Sequence, residues 1–527
     1  MNNAAAEETT LKTEKQYSKK ERILAWLSVP LGYLFCRAFS VQNYPPASLI
    51  FTFVLFAYAF VFLGGHPKKP RGMFYPVSAL LITLSLFFSG SGVILFFVCS
   101  YICAAFFLFC RTSSEAAFEE HAGKLFPFEA ASAFFVFPFI NIGAAPKAIS
   151  SGRRMKGFGK TLLIILAGIA LAVVPTALVL WLLSFDSNFT GILGELKNRL
   201  FGIELPNQLL DLFLGIPVGI LVFSALYSSA HTGDNTSGRE RSESFVSNIR
   251  FAPPLLGSVA VAPLLFLYAV FIAAQSDYYK AVLTSTLPSA YSFSEFARDG
   301  FFRLCIVAAV NALTLIALRA FSKKTESGKT PVAVRVITVL LSLMTVVISS
   351  TAISQMIMYV RQYGLTRLRL YALWFMALLI LLFIVAILHQ FIEKIPFTAA
   401  VILLTVSCFT LLAVPDTDAI IARYNYTRAV ENPKYSLDIE YLRNLGPSSV
   451  PVLCEIVKND NFSGAERFRA LNIIEKFEKE ESENGKVFNL PHILARKAAG
   501  TVDGETRERT REEKAQHNRK TAGDNNG

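Results

Sequence analysis

Between residues 23 and 414 the sequence keeps returning to apolar runs about as long as a bilayer is thick. A helix needs roughly 20 apolar residues to cross the hydrocarbon core. Runs of that kind fall at 23–41, 47–64, 73–89, 92–110, 161–183, 208–227, 255–275, 301–320, 332–356, 371–391 and 397–414, eleven in all. They are continuous rather than alternating, which predicts helices and not strands. In lipid every backbone polar group must be paired within the protein, so the fold class expected is all-α, a polytopic transmembrane helical bundle. Composition agrees: 53% of the 527 residues are hydrophobic, 46 are Phe, and the mean hydropathy is +0.45.

Some runs carry interruptions. Pro30 and Arg37 break the first, and the third is short enough to re-enter with the fourth across Ser89-Gly90-Ser91-Gly92. The apolar stretch 126–143 holds Pro127, Glu129, Pro138 and Asn141, and reads as lying in the interface or re-entering rather than spanning. Pro30, Pro175, Pro217 and Pro263 each remove a backbone hydrogen bond inside a span and predict kinks supported by neighbouring helices. Gly215 and Gly219 have the spacing that lets two helices approach closely, a match that also arises by accident in a Gly-rich chain.

The net charge of +12 does not mark a nucleic-acid binder. From 416 to 527 the 18 Lys and Arg are balanced by 19 Asp and Glu, so the whole excess lies among the apolar runs. There it reads as positive-inside bias. With the N-terminus cytoplasmic, eleven spans put 24 Lys and Arg on the inside and 9 on the outside, arginines at span ends counted with the loop they adjoin, which places the C-terminus outside. If 126–143 crosses, everything beyond it flips.

Residues 1–22 form a polar, basic cytoplasmic leader, read as retained, and 23–414 the transmembrane domain. After Val414 the apolar residues take up helical spacing, which predicts a small soluble helical domain over 415–500. Two amphipathic helices are legible there, at 448–457 and 465–477, and the pair resembles one unit of a HEAT-type repeat. One such unit cannot bury its own face and needs help from its neighbours or a partner. Residues 501–527 are densely charged and lack a large apolar residue after Val502, which predicts a disordered tail.

The chemistry of common enzymes is missing. The six histidines are scattered singly, the seven cysteines mostly sit in apolar stretches without accompanying His, Asp or Glu, and there is no GxSxG turn. The segment RMKGFGKT at 154–161 ends like a phosphate loop but lacks the leading Gly and a preceding strand, so it reads as a basic flank. No metal and no cofactor are expected. Polar residues at membrane depth are the remaining candidates, because burying them there is costly. Asp211, Asn311 and Gln355 qualify, with an interhelical hydrogen bond the expected role of Asn311.

The most informative segment is ISQMIMYVRQYGLTRLRL at 353–370. A long helix runs past the membrane boundary, breaks at Gly364 in a left-handed turn, and restarts with Thr366 as its cap. Arg361, Tyr363, Gly364, Thr366, Arg367 and Arg369 are therefore the candidate contacts for an anionic headgroup, a phosphorylated substrate or an acidic protein partner.

These residues also carry a resemblance. Tyr363-Gly364-Leu365-Thr366 followed by Leu368-Arg369 resembles the YGLTxLR signature of domain-of-unknown-function family 4173 and its sister group 4153, bacterial multi-pass membrane proteins. The segment 295–302, with Arg298 and Gly300, resembles that family's EYAREGFF pattern. Residues 418–428, with Arg423, Tyr424 and Asn425, and residues 438–442 resemble its DALIARYNxxR and DxxYL patterns. The resemblance covers roughly 20–455 and implies a fold and a membrane location, but no activity.

Three functions fit the sequence: transport or lipid handling; regulation or assembly through partners of the C-terminal helical domain; and a membrane-embedded transferase. No inverted repeat supports the first. The third would draw on Asp277, His389 or Glu393, whose spacing makes no constellation.

Overall fold

The computed structural model describes residues 17–39, 45–65, 67, 69–115, 117–150, 207–233, 236–275, 293–326, 329–392, 396–432, 435–484 and 487–524. The expected span at 161–183 with Pro175, the flank at 154–161, Asp277 and Glu393 lie outside them. So do the first sixteen residues of the leader.

The described residues are helical, with no strand beyond an isolated bridge between Ala252 and Ser322. In chain order the helices are α1 (Lys19–Ala38), α2 (Pro45–Leu63), α3 (Phe74–Leu84), α4 (Gly92–Ser113), α5 (Phe126–Phe135), α6 (Phe137–Ile140), α7 (Ala144–Ser150), α8 (Asn207–His231), α9 (Thr236–Asn248) and α10 (Pro254–Ala274). They continue with α11 (Phe293–Phe321), α12 (Val332–Tyr363), α13 (Arg367–Phe391), α14 (Phe397–Ala413), α15 (Thr417–Glu431), α16 (Ile439–Asn444), α17 (Val450–Lys458), α18 (Gly464–Asn484), α19 (Leu490–Ala499) and α20 (Gly504–Asp524).

Eight segments among the described residues are long and apolar enough to cross a membrane, and a ninth qualifies if α14 and α15, bent by 56°, form one broken span. Of the eleven expected runs, seven fall on these eight segments and 397–414 falls on the bent pair. The runs at 23–41 and 73–89 form helices that miss the criterion. α1 carries charge at both ends and α3 is only 11 residues long, closing in a 3-10 turn at Ser85–Phe87.

The eighth segment is Phe126–Ser150, which the sequence reads as interfacial and which has the length and apolarity of a span. Its contacts favour a shallow course. Glu129 pairs with Arg71, while the Phe137 carbonyl and the Asn141 amide both bond Ser228, and Ser229 in turn bonds the Cys110 carbonyl one residue from Arg111. Residues 129, 137 and 141 thus meet one level of the bundle, near the end of α8.

Two apolar cores form. The first joins α1–α4 with α7 and α8. Its centre is the crossing of α1 and α8, where a Cβ on Gly32 would fall 1.9 Å from the Gly215 carbonyl oxygen and one on Gly219 would fall 2.2 Å from that of Ser28. The Gly215–Gly219 spacing is therefore a true helix contact, and Pro30 and Pro217 lie in unbroken helix on either side of it. Close approach of backbones is what packs helices in lipid, where apolar burial drives nothing. Arg37 and Asp211 close this pair at 3.7 Å.

The second core is continuous from α10–α13 into α15–α19, from Tyr268 and Met356 through Leu365 and Ile421 to Leu453 and Ile474. Inside it, Tyr268 donates to Asn311 at 2.6 Å and Asn311 to Thr345 at 2.8 Å, which ties α10, α11 and α12 together as expected for Asn311. Side chains such as Phe266 and Leu313 point outward, 69% and 66% exposed, as lipid-facing residues do.

The two ends of the bundle differ. Glu21 meets His231, Thr398 bonds the Gly123 carbonyl, and Arg319 bonds His389, so the start of α1 lies at the end that carries the basic loops. Ser91, Tyr371, the break at Gly364 and the C-terminal helices lie at the other.

The C-terminal helices answer the question of how one repeat-like pair buries its face. α17 and α18 pack together, and α15, α19 and α20 cover them. Residues 504–524, expected to be disordered, form a helix. Arg507 holds Glu478 through two hydrogen bonds of 2.8 Å, and Arg467 holds Glu513 at 2.5 Å, while Val502 and Thr510 are buried. Composition registers the charge of this segment but not the opposite charges on α18 that receive it.

Candidate functional site

α12 ends because Gly364 adopts φ +78°, a conformation costly for any residue with a Cβ. Space is a second reason: a Cβ there would sit 2.1 Å from the Tyr435 hydroxyl. Thr366 then caps α13, accepting from the Arg369 amide at 3.4 Å. The break and the cap lie where the sequence puts them.

The last carbonyls of a helix lack partners within it. Arg369 supplies them for α12, donating to the Tyr363 carbonyl at 2.9 Å and to that of Gly364, while its guanidinium lies 4.3 Å from the Tyr359 ring centroid. Arg428 reaches back from α15 to the Arg361 carbonyl. Positive charge at a helix C-terminus is also electrostatically favourable.

Arg367 begins α13, where a cation is unfavourable by the same argument. Its neighbour is Asp418, buried, which takes Nε at 2.7 Å and Nη2 at 2.8 Å in a two-pronged pair. The Arg367 amide donates to Tyr441 at 2.8 Å. Between these, Asn425 accepts from the Leu365 amide and donates to the Leu365 carbonyl, both at 2.8 Å.

The sequence candidates therefore divide. Gly364, Thr366, Arg367, Arg369 and Asn425 are brought together in one junction between α12–α13 and α15. Arg361 and Tyr363 stand exposed at its rim. Arg423 pairs with Glu455 on α17 at 2.6 and 2.7 Å, and Tyr424 packs against the second core. Gly300 lies against Gln355, whose buried Oε1 has no hydrogen bond among the described residues. Arg298 falls in α11, away from the junction in sequence. Sequence reading missed Asp418, Tyr435 and Tyr441 as members of the junction. The signal was the need of an arginine at a helix start for a buried acid.

A second charged cluster was also missed. Glu129, buried, is held by Arg71 and by the Phe118 amide at 2.5 Å. Arg111, equally buried, has three nitrogens without a hydrogen bond among the described residues and lies 4.7 and 5.0 Å from the Phe118 and Phe137 ring centroids. An acid within a Phe-rich run was the clue.

Among the described residues no group of three His, Cys, Asp or Glu is placed to hold a metal ion. Residues 77–456 match the family model described as "Domain of unknown function (DUF4153)". The chain belongs to this family. Of the two sister groups that the motifs resemble, the match is thus to 4153, and it takes in both sides of the junction, from α12 through α15 to α17. It stops short of α18–α20, which lie outside the family match. No curated protein and no solved structure matches the chain.

Proposed function

We propose that this membrane protein is an anchored scaffold, whose spans hold the C-terminal helices at one face as a fixed binding module for a protein partner. The observation that carries this reading is the junction itself: the residues matching the family's YGLTxLR and DALIARYNxxR motifs bond each other instead of facing an open site. Arg367 is spent on Asp418, and Arg369 on the end of α12. Positive-inside bias supports a cytoplasmic basic end and an extracytoplasmic module, in a cell membrane.

Transport or lipid handling keeps one specific support, the exposed pair Arg361 and Tyr363 at the rim. A transferase has none among the described residues.

The test uses a photo-crosslinking amino acid at Lys476, exposed on α18, and at Arg361 in the full chain in cells. The scaffold reading expects a discrete protein adduct from Lys476. Lipid adducts from Arg361 with none from Lys476 would overturn it in favour of lipid handling. Labelling of Ser482→Cys by an impermeant thiol reagent in intact cells reads the side. Burial pushes the Cys454 thiol up to about 11, so it stays silent as background.

A further inference from the structure

α19 is built inside out for a helix in water. The side chains that it buries are small, Pro491, Ala495 and Ala499, packed against α17 and the turn before it. Its large apolar residues face outward: Leu490, Ile493 and Leu494 are 39%, 38% and 45% exposed, and Phe488 just before it is 60% exposed. Its polar neighbours are tied inward, with Arg496 on Glu481 at 2.6 Å and His492 on the same carboxylate.

The outward face continues onto the bundle. Leu84, Phe87 and Phe88 at the end of α3 form an open apolar groove of about 310 Å³ with Phe488, Leu490 and Ile493. From there the exposed residues Leu84, Leu81 and Val77 run down α3 as one stripe. From Phe74 to Phe87 the chain rises only roughly 22 Å, against roughly 30 Å of hydrocarbon. α19 stands above that short helix. Exposed Lys497 lies one helical turn beyond Ile493 and Leu494, where a long side chain reaches the headgroup layer.

We propose that α19 lies in the membrane interface, with Phe488, Leu490, Ile493 and Leu494 among acyl chains. A phospholipid chain fills the groove against Leu84 and Phe88, and Lys497 meets an anionic headgroup. The C-terminal module thus binds the bilayer directly, besides hanging from its spans. This rests on the reading of α2–α4 as membrane-embedded, not on the identity of any protein partner.

The experiment places a nitroxide at Leu494→Cys in the full chain, in nanodiscs of phosphatidylcholine with and without phosphatidylglycerol, with the signal of the parent chain subtracted. Collision with oxygen and with a nickel chelate is read against Phe266→Cys on a span and Asn472→Cys on α18. The proposal expects Leu494 to behave as Phe266 does, with nickel access several-fold below Asn472. Nickel access equal to Asn472 overturns it. Nickel access at Phe266 itself would instead sink the membrane reading of the spans. In the same labelled chain, Lys497→Glu is expected to raise nickel access only in discs with phosphatidylglycerol. No change there removes the headgroup contact.

Discussion

Asn425 treats Leu365 as a second strand would, taking its amide and giving to its carbonyl at 2.8 Å each, so one side chain on α15 satisfies a whole buried backbone unit in the break. An unpaired buried polar group costs about 1–3 kcal/mol. Asn425→Ala leaves two and should lower the unfolding temperature of the purified protein by several degrees. Asn425→Asp keeps the acceptor and should fall between. An Asn425→Ala chain as stable as the parent would show that water replaces the amide.

Gly364→Ala meets both a left-handed backbone and the Tyr435 hydroxyl. Tyr435→Phe removes the nearer obstacle and leaves the Asn425 Oδ1, 2.7 Å from such a Cβ, and the backbone strain, which costs about 1–3 kcal/mol. The double variant should therefore be more stable than the sum of the two single losses predicts. Strict additivity, measured by thermal unfolding, would mean that the ring and Gly364 do not touch.

Glu129→Gln leaves the part-buried Arg71 and the buried Arg111 with no carboxylate beside them. Breaking a buried pair costs about 3–5 kcal/mol. The loss should appear as poor recovery from detergent and early unfolding, and Arg111→Met in the same chain should restore part of it by removing one uncompensated cation.

Burial pushes the His492 imidazole below its usual value, and the Glu481 carboxylate, with the smaller effect, pulls it back, while Arg496 adds to the depression. The unfolded chain therefore takes up a proton that the folded one refuses. The stability so contributed is full above about pH 6.5 and is lost as pH falls through that value toward the folded one. The protection of α19 amides, taken against the intrinsic exchange rate at each pH, should fall from about pH 7.5 to about pH 5.5, and His492→Gln should flatten the change. Protection that rises on acidification would reverse the sign.

Spans were legible because a long apolar run has one physical reading in lipid. The break at Gly364 was legible because φ above zero and a Thr cap leave local marks. The junction was half legible: Arg367 and Asn425 stood out, but their partners lie 51 and 60 residues away, a distance no local pattern encodes. α20 failed for the same reason, since its stability is held by Glu475 and Glu478 on another helix. α19 was not legible as a helix at all. Its apolar residues have helical spacing, but periodicity does not say whether the large or the small face turns inward.

The glycine crossing of α1 and α8 bears on how the chain is made. α1 leaves the ribosome well before α8, carries charge at both ends, and finds its closest packing partner among the described residues only in a helix that begins at Asn207. α1 must therefore wait, shielded by the insertion machinery or lying at the bilayer surface, while α2 to α7 are threaded past it. A ribosome stalled before residue 207 should hold a nascent chain whose α1 is still open to proteases, and release of translation through His231 should close it.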